Sequence, residues 1–262
     1  MTISKATQNK LFTAGYTAKG VVYLIMGIFA VATVIGASSG TGGPKAVIDW
    51  IGTNPFGQIL IGLIGLGLMA YAAWRWFKAL ANTENEGSDT TGIVKRIGWA
   101  VSGTAYGVLS VYAFKKLFGS GGGSGNQKED IIAQLLQQSW GPYAVGLIGV
   151  IMVGVGAYQV YRAATDKHVE DVDAWGLTDD QEEAFKHTGR VGLGARAVVY
   201  GIIAYFLFRA ATMSDADQFK GIGESLSYLR DATFGSALLA IVGMGLAAYG
   251  IFMFFRARYE RV

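Results

Sequence analysis

The chain is expected to be an all-α integral membrane protein. Its fold class is six transmembrane helices in three parallel two-helix repeats with a pseudo-threefold arrangement, with short amphipathic helices in the outer loops. Three observations predict this. Hydrophobic residues make up 52% of the 262 residues and charged residues 16%, against about 25% charged in soluble domains. Six apolar stretches approach the roughly 20 residues that a helix needs to cross a bilayer. Two sequence blocks also recur three times each, so that features of one copy are expected to have counterparts in the others.

The first block is Tyr16-Thr17-Ala18-Lys19-Gly20-Val21-Val22-Tyr23. It returns as Trp99-Ala100-Val101-Ser102-Gly103-Thr104-Ala105-Tyr106 and as Leu193-Gly194-Ala195-Arg196-Ala197-Val198-Val199-Tyr200. The second is Gly65-Leu66-Gly67-Leu68-Met69-Ala70-Tyr71, followed by Met152-Val153-Gly154-Val155-Gly156-Ala157-Tyr158 and Gly243-Met244-Gly245-Leu246-Ala247-Ala248-Tyr249. Each unit is therefore two apolar segments joined by a loop. The units span 1–90, 91–170 and 171–262, the third opening with an acidic inner loop.

The predicted spans are 14–36, 56–80, 97–118, 142–164, 190–212 and 233–256. Helix is the state expected for them, because lipid cannot satisfy backbone N–H and C=O groups and no barrel-like alternation is present. Lys5 and Lys10 before an apolar stretch resemble a signal peptide, but that stretch is half of the first repeat and reads as a retained span. Between the two spans of each unit lies a short apolar-rich stretch: 46–51, 131–136 and 226–229. These read as amphipathic helices at the outer interface. The glycine–serine run 119–125 reads as a flexible connector.

Of the 22 Lys and Arg residues, fifteen fall on the side of the N-terminus and seven on the other. The positive-inside bias therefore predicts cytoplasmic termini. The inner loop 166–188 carries eight acids and Thr178-Asp179-Asp180-Gln181, a capping-box pattern that predicts a short helix through Phe185. It is a candidate surface for a basic protein partner, although a solvated acidic helix is the preferred reading. His168 and His187 read as solvated members of the same loop.

Several function classes are excluded. Cys is absent, which removes disulfides, thiolate metal sites and cysteine nucleophiles. A net charge of +3, dispersed along the chain, does not point to nucleic acid. No Asp, Glu or His falls mid-span, where coupled transport usually needs one. No hydrolase, zinc-protease or phosphate-loop motif occurs. No enzyme, cofactor or metal site is expected, and the oligomeric state is left open.

The repeated pattern of Gly, Tyr, a basic residue, Gly and Val-Val-Tyr, with Pro55-Phe56-Gly57 and a Gly-x-Gly-x-x-Ala-Tyr helix, resembles a bacterial family. It is the group of integral membrane proteins called domain of unknown function 1206. Residues 15–23 and 55–78 carry the best match, and the likeness extends over nearly the whole chain through the three copies. The resemblance implies a bacterial inner-membrane protein of six spans and carries over no catalytic residue. Ser102 stands where the other copies have Lys19 and Arg196, which speaks against a role that needs three equivalent cations.

Two sets of candidate residues remain. Lys19 and Arg196 lie inside their spans, and the preferred reading has each snorkel to the cytoplasmic interface. The alternative is contact with an anion or a lipid phosphate. Tyr23, Tyr106 and Tyr200, and Tyr71, Tyr158 and Tyr249, form two rings of three that read as axial or packing residues. Small residues on the second helices, Gly67, Gly154 and Gly245 among them, predict close helix contact in all three units. The function expected is a membrane scaffold, accessory or interaction subunit. The alternative is a passive pore or solute path along the pseudo-threefold axis.

Overall fold

The structure is a computed structural model that describes residues 5–37, 42–81, 90–119, 127–170 and 176–260. Six long helices carry the bundle: α1 (Lys5–Val34), α3 (Gly57–Ala81), α4 (Thr90–Leu117), α6 (Gly141–Ala164), α7 (Asp179–Met213) and α9 (Gly235–Tyr259). Three short ones lie in the loops within repeats: α2 (Pro44–Gly52), α5 (Gln127–Leu136) and α8 (Ile222–Arg230). No strand occurs among the described residues. The six long helices are each apolar enough to cross a membrane, so this is a multi-pass membrane protein.

The helices differ from the predicted spans mainly at the ends on the side of the chain termini. α1 begins at Lys5 rather than 14. α7 is one helix of 35 residues, not a short helix followed by a separate span. The Thr178 side chain accepts from Gln181 N and the Gln181 side chain accepts from Thr178 N, forming the expected capping box. Nothing in the chain after that cap breaks the helix before it enters the bundle. Most of the glycine–serine run (120–125), and Asp171 and Asp173 of the inner loop, lie outside the described residues.

Each short helix turns its apolar side toward the bundle. Val47, Ile48 and Ile51 of α2 and Leu226 and Leu229 of α8 are buried. Asp49 of α2 accepts a hydrogen bond from Tyr112 at 2.8 Å and pairs with Lys116 at 3.0 Å, which pins α2 to α4. The turn from each short helix into the next span demands glycine. A Cβ on Gly57, Gly141 or Gly235 would collide with the carbonyl oxygen of Ile51, Leu135 or Arg230.

The second helix of each repeat packs on the first helix of the next: α3 on α4, α6 on α7, and α9 back on α1. Within repeats, α1 packs on α3 and α7 on α9. No comparable packing of α4 on α6 is found among the described residues. The bundle is thus a ring broken at one place, and the expected threefold equivalence of the units is not met.

Glycines show the same asymmetry. A Cβ on Gly67 or Gly245 would collide with the side chain of Ala18 or Ala195, whereas one on Gly154 would meet nothing within 4 Å. The expectation of close contact at Gly154 is therefore wrong. Its would-be partner is Val101, which has two methyl groups where Ala18 and Ala195 have none beyond Cβ. Neither member of that pair is in a helix contact here: Val101 is 60% exposed.

Candidate functional site

Side chains from five of the six long helices meet at the bundle centre. Helical spacing places Tyr16, Lys19 and Tyr23 on one face of α1, and Tyr71, Trp74 and Arg75 on one face of α3. α4 adds Tyr106, α7 adds Arg196 and Tyr200, and α9 adds Tyr249 and Arg256.

Lys19 is 4% exposed. Its ammonium donates to the Tyr71 hydroxyl at 3.4 Å and lies 5.1–5.8 Å from the ring centroids of Tyr16, Tyr71, Tyr106 and Tyr249. The side chain therefore does not snorkel: it points inward, enclosed by tyrosine faces. Arg196 donates to the hydroxyls of Tyr249 (2.5 Å) and Tyr200, with the rings of Tyr23, Tyr200 and Tyr249 around it. Arg75 donates to Tyr71 at 2.8 Å and to Tyr16 at 3.4 Å. Tyr106 and Tyr23 share a hydrogen bond of 3.4 Å.

Of the six tyrosines singled out in sequence, Tyr23, Tyr71, Tyr106, Tyr200 and Tyr249 come together here. Tyr158 does not, and is 56% exposed. Ser102 sits beside Tyr71, so repeat 2 supplies no cation to the centre. Arg75, Arg256 and Tyr16 were missed by sequence reasoning. Arg75 had one usable signal: it follows Tyr71 by four residues, one helical turn on, and so shares its face.

Charge is unbalanced. Arg256 is paired with Glu260 through two hydrogen bonds. Among the described residues, no carboxylate pairs with Lys19, Arg75 or Arg196. Each aromatic face offers about 0.5–2 kcal/mol to a cation. Rings and hydroxyls solvate the three charges without neutralising them. Hydrogen-bond capacity is lopsided too. Lys19 has three donors and one hydroxyl acceptor among the described residues, so the centre holds more donors than acceptors. An oxyanion supplies what such a place lacks: negative charge and several acceptors.

Two other features lie outside this cluster. A groove of about 560 Å³ between α3 and α4, lined by Met69, Trp76, Thr104 and Lys115 among others, shares no residue with it. His168, expected in solvent, is wholly buried, with its ring nitrogens 3.0 and 3.1 Å from the carbonyls of Arg162 and Lys186. Its ring packs edge-on against Phe252 as Phe12 packs against Trp74, and it fills the space left by Gly189, the repeat-3 counterpart of Phe12. No cluster of metal-ligating side chains occurs among the described residues.

Segments 14–82, 97–166 and 191–260 each match the family described as Domain of Unknown Function (DUF1206). The uncharacterised protein YxxB of Bacillus subtilis strain 168 is 29% identical over 248 residues, covering 95% of this chain and 90% of that one. No solved structure matches. With three copies of the family's domain accounting for most of its length, the chain belongs to the DUF1206 family.

Proposed function

We propose that this chain is a non-catalytic accessory module of the bacterial plasma membrane, with both termini cytoplasmic, that holds an anionic group at its centre. One observation carries the reading: Lys19, Arg75 and Arg196 converge in the bundle with tyrosines as their partners and, among the described residues, no carboxylate paired with them. Three like charges held together inside a membrane protein repel one another, and a bound anion relieves that repulsion. Interlocked tyrosine rings occupy the same place, which supports a binding module over an open path for solutes.

The test is thermal unfolding of the purified protein in a neutral detergent. Inorganic phosphate or a short-chain phosphatidylglycerol is titrated against sodium chloride of equal ionic strength. A ligand that binds only the folded state raises Tm in proportion to its occupancy. At least one of the two anions should raise Tm in the parent and have little effect on Lys19→Gln and Arg196→Gln. No rise with either anion would overturn the reading. Flux of ions through the protein in planar bilayers would favour the pore instead.

A further inference from the structure

We propose that the break in the ring between α4 and α6 is a lateral portal, and that the anion is the headgroup of an anionic membrane lipid whose acyl chains leave through it. This rests on the anion-binding reading above and names the source of the anion.

The opening sits where a tyrosine is missing from the central cluster. Tyr71 and Tyr249 each cross from a second helix and cover one side of the cations. Their counterpart Tyr158 is turned out, so the third side lacks its cover. Gly98 and Gly154 are equally bare, although Gly15 and Gly192 press on Tyr71 and Tyr249 in the other repeats. Val101, at the position where an alanine is in contact elsewhere, is 60% exposed.

Depth selects the occupant. Tyr71, which accepts from Lys19, lies ten residues before the end of α3, about 15 Å at 1.5 Å per residue, and Arg75 lies six residues before it, about 9 Å, so the cations sit below the helix end. A soluble anion at that depth must shed its water and cross apolar protein. A lipid that enters sideways keeps its chains in the bilayer throughout and brings only its headgroup inside. The walls match such an amphiphile: apolar α4 and α6 surfaces at the mouth, and uncompensated cations behind them.

The chain has no cysteine, so Gly154→Cys gives a unique attachment point for a fluorophore at the mouth. Leu66→Cys gives a second, exposed on α3 away from the opening. Each labelled protein is placed in phosphatidylcholine nanodiscs containing a minor fraction of chain-brominated phosphatidylglycerol or chain-brominated phosphatidylcholine. The expected result is several-fold stronger quenching by the brominated anionic lipid at residue 154 and equal quenching by the two lipids at residue 66. Excess unbrominated phosphatidylglycerol should abolish that quenching in the labelled Gly154→Cys protein, which requires no further variant. Lys19→Gln with Arg196→Gln should remove it.

Equal quenching by the two lipids at residue 154 would overturn the portal. If phosphate still raised Tm, the anion site would stand with its ligand arriving from water. A preference equally strong at residues 154 and 66 would mean ordinary annular enrichment, and would overturn the portal as well.

Discussion

Lys19 stands to Tyr71 in the first repeat as Arg196 stands to Tyr249 in the third. In both, a cation on the first helix donates to the hydroxyl of a tyrosine on the second, at 3.4 Å and 2.5 Å. The second repeat has Ser102 and Tyr158 at these positions, on helices that do not pack together. The second repeat therefore lacks both the cation and the helix packing that the other two share.

Replacing Gly67 or Gly245 with Leu should destabilise the fold by about 1–3 kcal/mol or more, because the added side chain meets Ala18 or Ala195 at a helix contact. Gly154→Leu should leave thermal unfolding nearly unchanged, since that position faces open space. Equal losses for all three would mean that α4 and α6 are packed in the membrane.

Tyr71→Phe removes the hydroxyl that accepts from both Lys19 and Arg75. Leaving buried charged donors without that partner should cost about 1–3 kcal/mol. Tyr158→Phe, at an exposed position, should fall within about 0.5 kcal/mol of the parent. Thermal unfolding of the two variants side by side checks the contrast.

Asp166 ties the end of α6 to α7. Arg190 donates to both of its carboxylate oxygens at 2.6 Å, and Lys186 approaches to 3.1 Å. The Arg190 hydrogen bonds come first among the causes that hold this carboxyl at about 2, below the ordinary 3.8. A carboxyl lowered by folding stabilises the fold above its unfolded value and loses that contribution as pH falls through its folded one. Stability should therefore drop between about pH 4 and pH 2. Melting curves of Asp166→Asn should be flatter in that window. Parallel curves for parent and variant would show that the pair is not formed in solution.

A reporter active only outside the cell should work when fused near Gly43 or Asp217. It should fail when fused after residue 170, because the excess of Lys and Arg lies on the side of the termini. The opposite pattern would invert the orientation and place the Lys19 cluster nearer the outer face.

Much of this was legible in the chain. The six spans follow from length and apolarity, because a bilayer leaves a backbone few choices. The capping box at Thr178 follows from local chemistry alone. The three copies could be read by eye, and they foretold the two tyrosine sets of which five members meet at the centre.

Local sequence could not decide which faces meet. Gly154 carries the same signature as Gly67 and Gly245, yet it faces open space, because α6 does not pack on α4 as α3 packs on α1 and α9 on α7. The distance from Lys19 to the end of its predicted span suggested snorkelling. Its actual direction depends on Tyr71, Tyr106 and Tyr249, which lie 52 to 230 positions away along the chain. His168 looked solvated among acids, but the missing side chain of Gly189 opens a slot that its ring fills. Periodicity and composition thus specify what each helix can bury, since those depend on one helix and its solvent. Which buried groups share a space, and whether their charges cancel, depends on distances between helices that only the assembled bundle sets.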